Sequence, residues 1–472
     1  MSATHSETAG RAVPGWFDEA KLGVMIVWTP AAVPAFAPLF PAAEAWEQMT
    51  EDEAAVLLRD GLPFAEMYLN QMHVPTSAVA AHHAERHAGV SYDDFAAEFR
   101  AGMHRWDPHS WVELFAAAGI RYVVLTVKHQ DGFLLWPSAT PNPHKKDWQA
   151  ERDLVGELAE AVRAAGMKFG VLYSGGLDFT FTPPPAAEDY ENLPAAIADN
   201  PGYAAYADAH WRELIERYRP SVLWNDAGYP AAARMDEMVS WYREQVPGGV
   251  INDRFGPTPA GSEEELADFA TLEYQRDYAT DAPEGRKWES CRGLGSSFGY
   301  NRQETDASMP DAAELIHEFV DCVAHGGNFL PAVGPTAAGQ VPWIQAQRLL
   351  ALGWWLKTNG PAVYGTRPWT RVTGTTGDGL DIRYTQSPDA VHAIVLGVTN
   401  RPEVELDVRA EPRAEITLLG GGSDPLTWEP AAHGIRVRLP ETPDAQPALT
   451  LRISPATSVQ PASVQPAVQE AE

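Results

Sequence analysis

Short apolar segments alternate with amphipathic helical patterns from residue 16 to about residue 365, and this alternation is the strongest constraint on the fold. Six segments have the length and composition of buried strands, at 23–28, 122–127, 169–173, 221–224, 249–252 and 328–333. Helical patterns lie between or after them, at 107–119, 153–166, 203–218, 314–327 and 343–360. Strands that are almost continuously apolar are typical of parallel sheets covered on both faces. The alternation therefore predicts an α/β fold with a (β/α)8-like barrel.

The pattern changes after residue 370, where short alternating segments rich in Thr, Val and Gly replace the helical patterns. Such segments predict a small C-terminal antiparallel β-sandwich. The last residues repeat Ser-Val-Gln-Pro-Ala, a composition typical of disorder. We therefore predict an N-terminal extension at 1–15, a catalytic barrel at 16–370, a sandwich at 371–455 and a disordered tail at 456–472.

The charge of the chain limits its partners. With 35 basic and 64 acidic residues the formal net charge is −29, which argues against nucleic-acid partners and anionic membrane surfaces. Two cysteines, Cys291 and Cys322, do not form a disulfide framework. The first residues contain no apolar signal segment, and no apolar run reaches transmembrane length, so we expect a cytoplasmic location.

Polar and titratable residues follow the predicted strands at the same end, which is where a barrel carries its chemistry. One apolar strand ends on Asn225 and Asp226 in the stretch SVLWNDAGYP. A carboxylate at this place is either a nucleophile or a cap for the next helix. A nucleophile requires a second carboxyl group as acid and base, and spacing alone does not choose among the candidates Glu263, Glu264, Glu265, Glu273, Glu284 and Glu289.

Several motifs extend over residues 16–370 in one order, among them KHQDGFLLWPS, WNDAGYP, INDRFG and WESCRGLGSSFGYN. Together they resemble the α-L-fucosidases of glycoside hydrolase family 29. The resemblance implies a barrel followed by a sandwich, and a retaining exo-glycosidase that hydrolyses a terminal α-L-fucoside or a related deoxysugar glycoside. Its substrate partner would be a small carbohydrate, and the family implies no cofactor and no metal. We assign no metal to the pair His83 and His87 either, since no third ligand accompanies them.

The resemblance also implies roles for individual residues. Asp226 matches the family's nucleophile, and Glu273 in TLEYQRDY falls where related sequences carry the acid/base. The remaining matches are sugar-pocket positions, in which carboxylate and imidazole groups hold hydroxyls and aromatic faces cover a deoxysugar. These positions are Glu66, His129, Tyr173, Trp224, Arg254 and Phe298.

Three pocket positions depart from the family's pattern. Val27 and Gln130 stand where the family has histidines, and Met67 stands where it has a tryptophan. Because lost hydrogen bonds to a buried hydroxyl reduce transition-state binding, we predict weak activity on simple α-L-fucosides. The alternatives are an enzyme specialised for a glycosylated secondary metabolite and a non-catalytic sugar-binding barrel.

Overall fold

The computed structural model describes residues 12–39, 61–183, 197, 201–256, 266–275, 277–397, 401–440 and 446–462. The chain divides into two compact units. The described residues of the first fall within Met1–Gln275, Asp281–Asp311 and Asn328–Leu350. Those of the second fall within Arg276–Thr280, Ala312–Gly327 and Ala351–Glu472, which includes helical residues ahead of the predicted boundary at residue 370.

Eight parallel strands form the sheet of the first unit. They are β1 (Gly23–Ile26), β2 (Tyr122–Lys128), β3 (Lys168–Ser174), β4 (Val222–Asp226), β5 (Val250–Ile251), β6 (Ala270–Glu273), β7 (Trp288–Gly293) and β8 (Asn328–Val333). Their order is β5-β4-β3-β2-β1-β8-β7-β6. The two end strands meet through a parallel bridge between Asn252 and Phe269, and the N–H of Asp268 donates to the carbonyl of Ile251 at 2.8 Å. The sheet therefore curls into the predicted barrel.

Helices of the described residues follow most of the strands. They are α1 (Gly15–Ala20), α2 (Tyr68–Gln71), α3 (Ala78–Arg86), α4 (Tyr92–Gly102), α5 (Pro108–Ala117), α6 (Leu154–Ala164), α7 (Pro201–Tyr218), α8 (Met235–Gln245), α9 (Tyr278–Asp281), α10 (Ala312–Ala324) and α11 (Trp343–Asn359). The carboxylates of Asp107 and Asp153 cap α5 and α6, because they accept backbone N–H bonds from the first turns of these helices.

Large side chains fill the barrel interior below its carboxyl end. Tyr122 and Val124 of β2, Leu172 of β3 and Trp224 of β4 belong to one buried cluster with Met25 of β1. Alternation along each strand selects these residues, because every second side chain of a barrel strand points inward. This layer supports the carboxyl ends of the strands, where the polar residues are.

Antiparallel sheets make up the second unit. The strands are β9 (Arg367–Thr375), β10 (Asp381–Gln386), β11 (Val391–Leu396), β12 (Glu403–Leu406), β13 (Val408–Ala410), β14 (Glu415–Leu418), β15 (Trp428–Ala431), β16 (Gly434–Arg438), β17 (Ala448–Ser454) and β18 (Val459–Pro461). Five strands form the sheet β14-β17-β11-β10-β9, three form β12-β16-β15, and β13 pairs with β18. Alternating side chains such as Ile382, Tyr384, Val391 and Ile453 are buried in one shared core.

The predicted disordered tail needs a correction at its start. Residues 456–461 form a short helical turn and strand β18, in which Val459 pairs with Ala410 of β13. Backbone pairing stabilises these residues although their composition is typical of disorder. The rest of the predicted tail, 463–472, lies outside the described residues, as does most of the predicted extension. None of the described helices is long and apolar enough to cross a membrane.

Candidate active site

A cavity of about 510 Å³ opens at the carboxyl end of the barrel. Its polar lining comes from a short helical turn at Ala65–Met67 and from the carboxyl ends of strands or the loops after them, namely Glu66, Thr126, His129, Gln130, Asp226, Asp253, Arg254 and Glu273. Apolar side chains form the larger part of the wall, among them Met25, Val27, Leu62, Phe64, Met67, Leu172, Ile197, Trp224, Cys291 and Phe298. The cavity thus has the composition of a small-ligand site, in which a few polar groups lie among apolar ones.

Asp226 is the last residue of β4, and an amide network fixes the end of this strand. The side chain of Asn252 accepts from the N–H of Asn225 at 2.9 Å and donates to its carbonyl at 2.9 Å. The Asn225 amide in turn donates to the carbonyls of Gly228 and Arg254, both at 2.8 Å. The polar residues therefore continue the strand's hydrogen bonding where β5 has ended, and they hold the backbone of Asp226 in place.

Two glycine residues let the backbone that follows the neighbouring strand β3 approach Asp226 closely. The N–H groups of Gly175 and Gly176 donate to the carbonyl of Asp226 at 3.1 and 3.4 Å. A Cβ on Gly176 would lie 1.8 Å from the carbonyl oxygen of Ala227, so no larger residue fits there without a backbone shift. The Gly-Gly pair after β3 thus serves backbone packing around the carboxylate.

One guanidinium connects the two candidate catalytic carboxylates. Arg254 Nη1 lies 3.2 Å from Asp226 Oδ1, and Arg254 Nη2 lies 2.5 Å from Glu273 Oε2. The Arg254 carbon Cζ lies 5.0 Å from the ring centre of Trp224, a cation–π distance. Burial alone would lower the pKa of this guanidinium, but the charges of Glu273 and Asp226 outweigh burial and raise the pKa. Arg254 is therefore a permanent cation that holds both carboxylates at one place.

The segment 128–132 divides into structural and cavity-lining residues. Lys128 and Asp131 are buried away from the cavity: Lys128 Nζ lies 3.2 Å from Asp178, and Asp131 accepts from the Tyr92 hydroxyl at 2.7 Å. His129 and Gln130 line the cavity instead. Burial is the main cause that lowers the pKa of His129 to about 4, so its imidazole is neutral at physiological pH.

Three residues of the cavity wall each have a buried polar atom without a partner among the described residues. In the part of the chain that the structure describes, Thr126 Oγ1, His129 Nδ1 and Gln130 Oε1 have no hydrogen-bond partner. All three residues belong to β2 or the loop directly after it. Buried polar groups in proteins are normally paired, so these atoms are an exception in a part of the wall that also lines the cavity. Thr126 was not predicted, although its inward alternation with Tyr122 and Val124 is a usable signal.

Most predicted pocket positions line the cavity. The carboxylate of Glu66 accepts from the Ser297 hydroxyl at 3.0 Å and from the N–H of Gly299 at 2.8 Å, and burial raises its pKa. Val27, Met67, Trp224 and Phe298 also lie in the wall, and Val27 is 4% exposed. The side chain at position 27 therefore makes this part of the cavity apolar, as the sequence predicts.

Tyr173 was predicted as a sugar-pocket residue, and the structure corrects this assignment. Its inward neighbour Leu172 lines the cavity, while Tyr173 points to the opposite face of β3. The Tyr173 hydroxyl lies 3.0 Å from Nδ1 of His210, and its ring packs on Trp211 at 5.2 Å. Since successive strand residues face opposite sides, only one of the pair can reach the cavity.

Two of the other candidate carboxyl groups, Glu284 and Glu289, lie away from the cavity wall. Glu284 is exposed, and Glu263, Glu264 and Glu265 lie outside the described residues. Glu289 is fully buried below the site, where it accepts from Trp224 Nε1 at 3.1 Å and from the hydroxyl of Tyr122. Burial raises the pKa of Glu289 to about 7. Among the candidates that the structure describes, Glu273 is the one that lines the cavity beside Asp226 and Arg254.

Comparison with known proteins identifies relatives over nearly the whole chain. The family profile described as Alpha-L-fucosidase matches residues 1–361, and the one described as Alpha-L-fucosidase C-terminal domain matches residues 379–454. Tissue alpha-L-fucosidase of Bos taurus is 32% identical over 452 residues, which cover 92% of this chain and 86% of the relative. The enzyme of Rattus norvegicus is 30% identical over 447 residues, with 92% and 87% covered.

Solved structures give the same result. The crystal structure of Thermotoga maritima alpha-fucosidase in complex with fucose matches with a TM-score of 0.80 and 34% identity, covering 94% of this chain and 97% of that one. The structure of the same enzyme with a mechanism-based inhibitor matches with a TM-score of 0.81 and the same identity and coverage. The similarity therefore includes both the barrel strands and the C-terminal sheets.

Proposed function

The chain belongs to the α-L-fucosidase family of glycoside hydrolases, and from this premise we propose that it hydrolyses terminal α-L-fucosides by a retaining double displacement. The observation that carries the proposal is the shared guanidinium of Arg254 between Asp226 and Glu273. Two carboxyl groups beside one sugar are the requirement of this chemistry. Their position at the carboxyl end of a barrel agrees with the location of active sites in this fold.

In the first step Asp226 acts as the nucleophile. Its carboxylate attacks the anomeric carbon, and a glycosyl–Asp226 ester forms as the bond to the leaving-group oxygen breaks. Glu273 donates its proton to that oxygen, so the aglycone leaves as a neutral alcohol. The contact with Arg254 and the network at Asn225 hold Asp226 in one orientation.

In the second step Glu273 acts as the base. It removes a proton from a water molecule, the water oxygen attacks the anomeric carbon, and the bond to Asp226 breaks. Two successive inversions give net retention of anomeric configuration. Glu273 is the more exposed of the two carboxylates, with 31% of its side chain accessible compared with 20% for Asp226, which suits a group that exchanges protons with water.

The cavity wall supports a deoxysugar as substrate. Thr126, His129 and Gln130 make one side of the wall polar, which suits the ring hydroxyls. Phe298 and Met67 offer apolar contact, which favours a methyl group over a hydroxymethyl group. A sugar with both several hydroxyls and a methyl group is complementary to such a wall.

A direct test is hydrolysis of 4-nitrophenyl α-L-fucoside, compared with nitrophenyl glycosides of related L-sugars. NMR of the first product should show the α-anomer, and Asp226→Ala should remove the activity. An initial β-anomer would exclude the retaining mechanism. No hydrolysis of any of these glycosides by the folded protein would contradict the proposed function.

The two alternative functions receive less support. A non-catalytic sugar-binding barrel would not require two carboxylates on one arginine, and both are in place here. A glycosylated secondary metabolite as substrate rests only on the altered positions Val27, Met67 and Gln130. The cytoplasmic location stays a prediction.

A further inference from the structure

The residue directly after Glu273 has an unusual backbone conformation. Tyr274 has φ +54°, in the left-handed region that non-glycine residues with large side chains seldom adopt. Strained backbone of this kind persists only where surrounding contacts enforce it, and it is found preferentially at functional sites. Its place beside a proposed catalytic group makes Tyr274 the strongest unassigned feature of the site.

Contacts from the β7 segment hold Tyr274 in this conformation. Its N–H donates to the carbonyl of Cys291 at 3.1 Å. Its hydroxyl accepts from the N–H of Gly293 at 3.1 Å and donates to the carbonyl of Ser296 at 2.9 Å. The ring packs edge-on against Phe298 with 5.2 Å between centres. Backbone, hydroxyl and ring are therefore all tied to β7 and the loop that follows it.

These contacts determine where the Glu273 carboxylate points. The left-handed residue turns the chain sharply at the end of β6, so the backbone of Glu273 cannot rotate independently of Tyr274. Glu273 itself pairs in register with Cys291, the same residue whose carbonyl binds the Tyr274 N–H. The acid/base is thus fixed on one side by the strand and on the other by the tyrosine.

We propose that Tyr274 is a positioning residue for proton transfer by Glu273, acting through its hydroxyl bonds to Gly293 and Ser296. The inference rests on the proposed function. Tyr274 is not a lining residue of the cavity and has no direct role in substrate binding. Its effect is on the distance and angle between the Glu273 carboxyl group and the leaving-group oxygen, a geometry to which proton transfer is sensitive.

The test is a series of aryl α-L-fucosides whose phenols differ in acidity. A 2,4-dinitrophenolate leaves without a proton, whereas phenol needs one, so only substrates with poor leaving groups report on the acid. In Tyr274→Phe, which retains the ring and removes the hydroxyl bonds, kcat/KM for the phenyl fucoside should fall about tenfold or more. For the dinitrophenyl fucoside it should fall less than about twofold.

Two further variants separate positioning from folding. Tyr274→Asn keeps a residue that tolerates the left-handed region but removes ring and hydroxyl, and it should steepen the leaving-group dependence further. Tyr229→Phe is the matched control: the Tyr229 hydroxyl is buried and has no partner among the described residues, so the variant should match the wild type. Thermal unfolding of each variant confirms that it is folded at the assay temperature.

Equal losses on all leaving groups would overturn the proposal, because they indicate a general structural effect. So would unchanged kinetics in both Tyr274 variants. A wild-type protein that hydrolyses none of the aryl fucosides would instead contradict the proposed function, and the inference would fall with it.

Discussion

The guanidinium of Arg254 lies 2.5 Å from the carboxylate of Glu273 in the unliganded protein. In this contact Glu273 Oε2 faces the guanidinium, whereas the first chemical step needs the Glu273 carboxyl group to face the leaving-group oxygen. Substrate binding must therefore loosen the contact before Glu273 can act as an acid.

Substitution of Arg254 tests whether its simultaneous contact with Asp226 and Glu273 is required for activity. Arg254→Lys keeps the charge but cannot present two parallel donors to two carboxylates, so we expect kcat/KM on an aryl fucoside to fall about 10–100-fold. Arg254→Gln also removes the charge, so its kcat/KM should be lower still. Arg234→Lys, in an exposed ion pair with Glu237, is the control and should retain wild-type kinetics. Full activity in Arg254→Lys would show that charge alone suffices.

Removal of the nucleophile should be rescued chemically. Asp226→Gly deletes the carboxylate, and we expect turnover to fall by roughly 10³-fold or more with the fold intact. Azide fits the space that the carboxylate leaves and attacks the anomeric carbon once, so it should yield a β-fucosyl azide of inverted configuration. NMR identifies this product, and circular dichroism checks the fold. Near wild-type turnover in Asp226→Gly would refute the assignment.

Position 27 is predicted to limit activity on simple fucosides. Val27→His would place a hydrogen-bonding imidazole in an apolar wall, and one desolvated hydrogen bond in the transition state is worth about 1–3 kcal/mol. We expect kcat/KM on 4-nitrophenyl α-L-fucoside to rise about fivefold or more in Val27→His, with a smaller gain in Gln130→His. Val27→Leu, which adds volume without a donor, should not improve it. If the wild type already has a high kcat/KM on this substrate and neither histidine variant raises it, then fucose does not need histidines at these positions.

Glu289 should make stability depend on pH. Burial raises its pKa in the folded state to about 7, well above the ordinary pKa of about 4.5 for a glutamate. As pH rises, Glu289 therefore loses its proton at a lower pH in the unfolded chain than in the folded protein. The free energy of unfolding consequently falls by up to about 3 kcal/mol between pH 4.5 and pH 7. Glu289→Gln lacks this penalty.

The check is urea unfolding of both proteins at pH 5 and pH 8. The free energy of unfolding of Glu289→Gln relative to wild type should increase from pH 5 to pH 8. Glu284→Gln, at an exposed position, should show no such change. A pH-independent difference for Glu289→Gln would mean that Glu289 titrates normally.

The local sequence pattern predicts the barrel and the place of Asp226, because buried parallel strands have continuous apolar segments. The short strand β6 was missed as a strand, since Ala270–Glu273 alternates between buried and half-buried residues and carries too few apolar side chains to stand out. Tyr173 was misplaced because a motif match does not state which face of a strand a residue occupies. Its neighbour Leu172 has the inward position.

Contacts between residues that are far apart in the sequence cannot be predicted from local patterns. The bond between Tyr122 and Glu289 joins residues 167 positions apart, and the Arg254 bridge depends on how three strand ends meet. Neither the raised pKa of Glu289 nor the left-handed backbone of Tyr274 can be predicted from the local sequence. They arise from packing that exists only once the barrel is closed.

Asp226 and Glu273 are each the terminal residue of a barrel strand, and neither is supplied by a long loop. Their spacing is consequently a property of the hydrogen-bonded sheet and is independent of loop length or composition. Loops other than the one after β7, which binds Tyr274, can therefore vary between relatives without changing the spacing of these two carboxylates. The architecture thus separates two evolutionary variables, so that the glycosides accepted by such a barrel can diverge while the bond-breaking step is inherited unchanged.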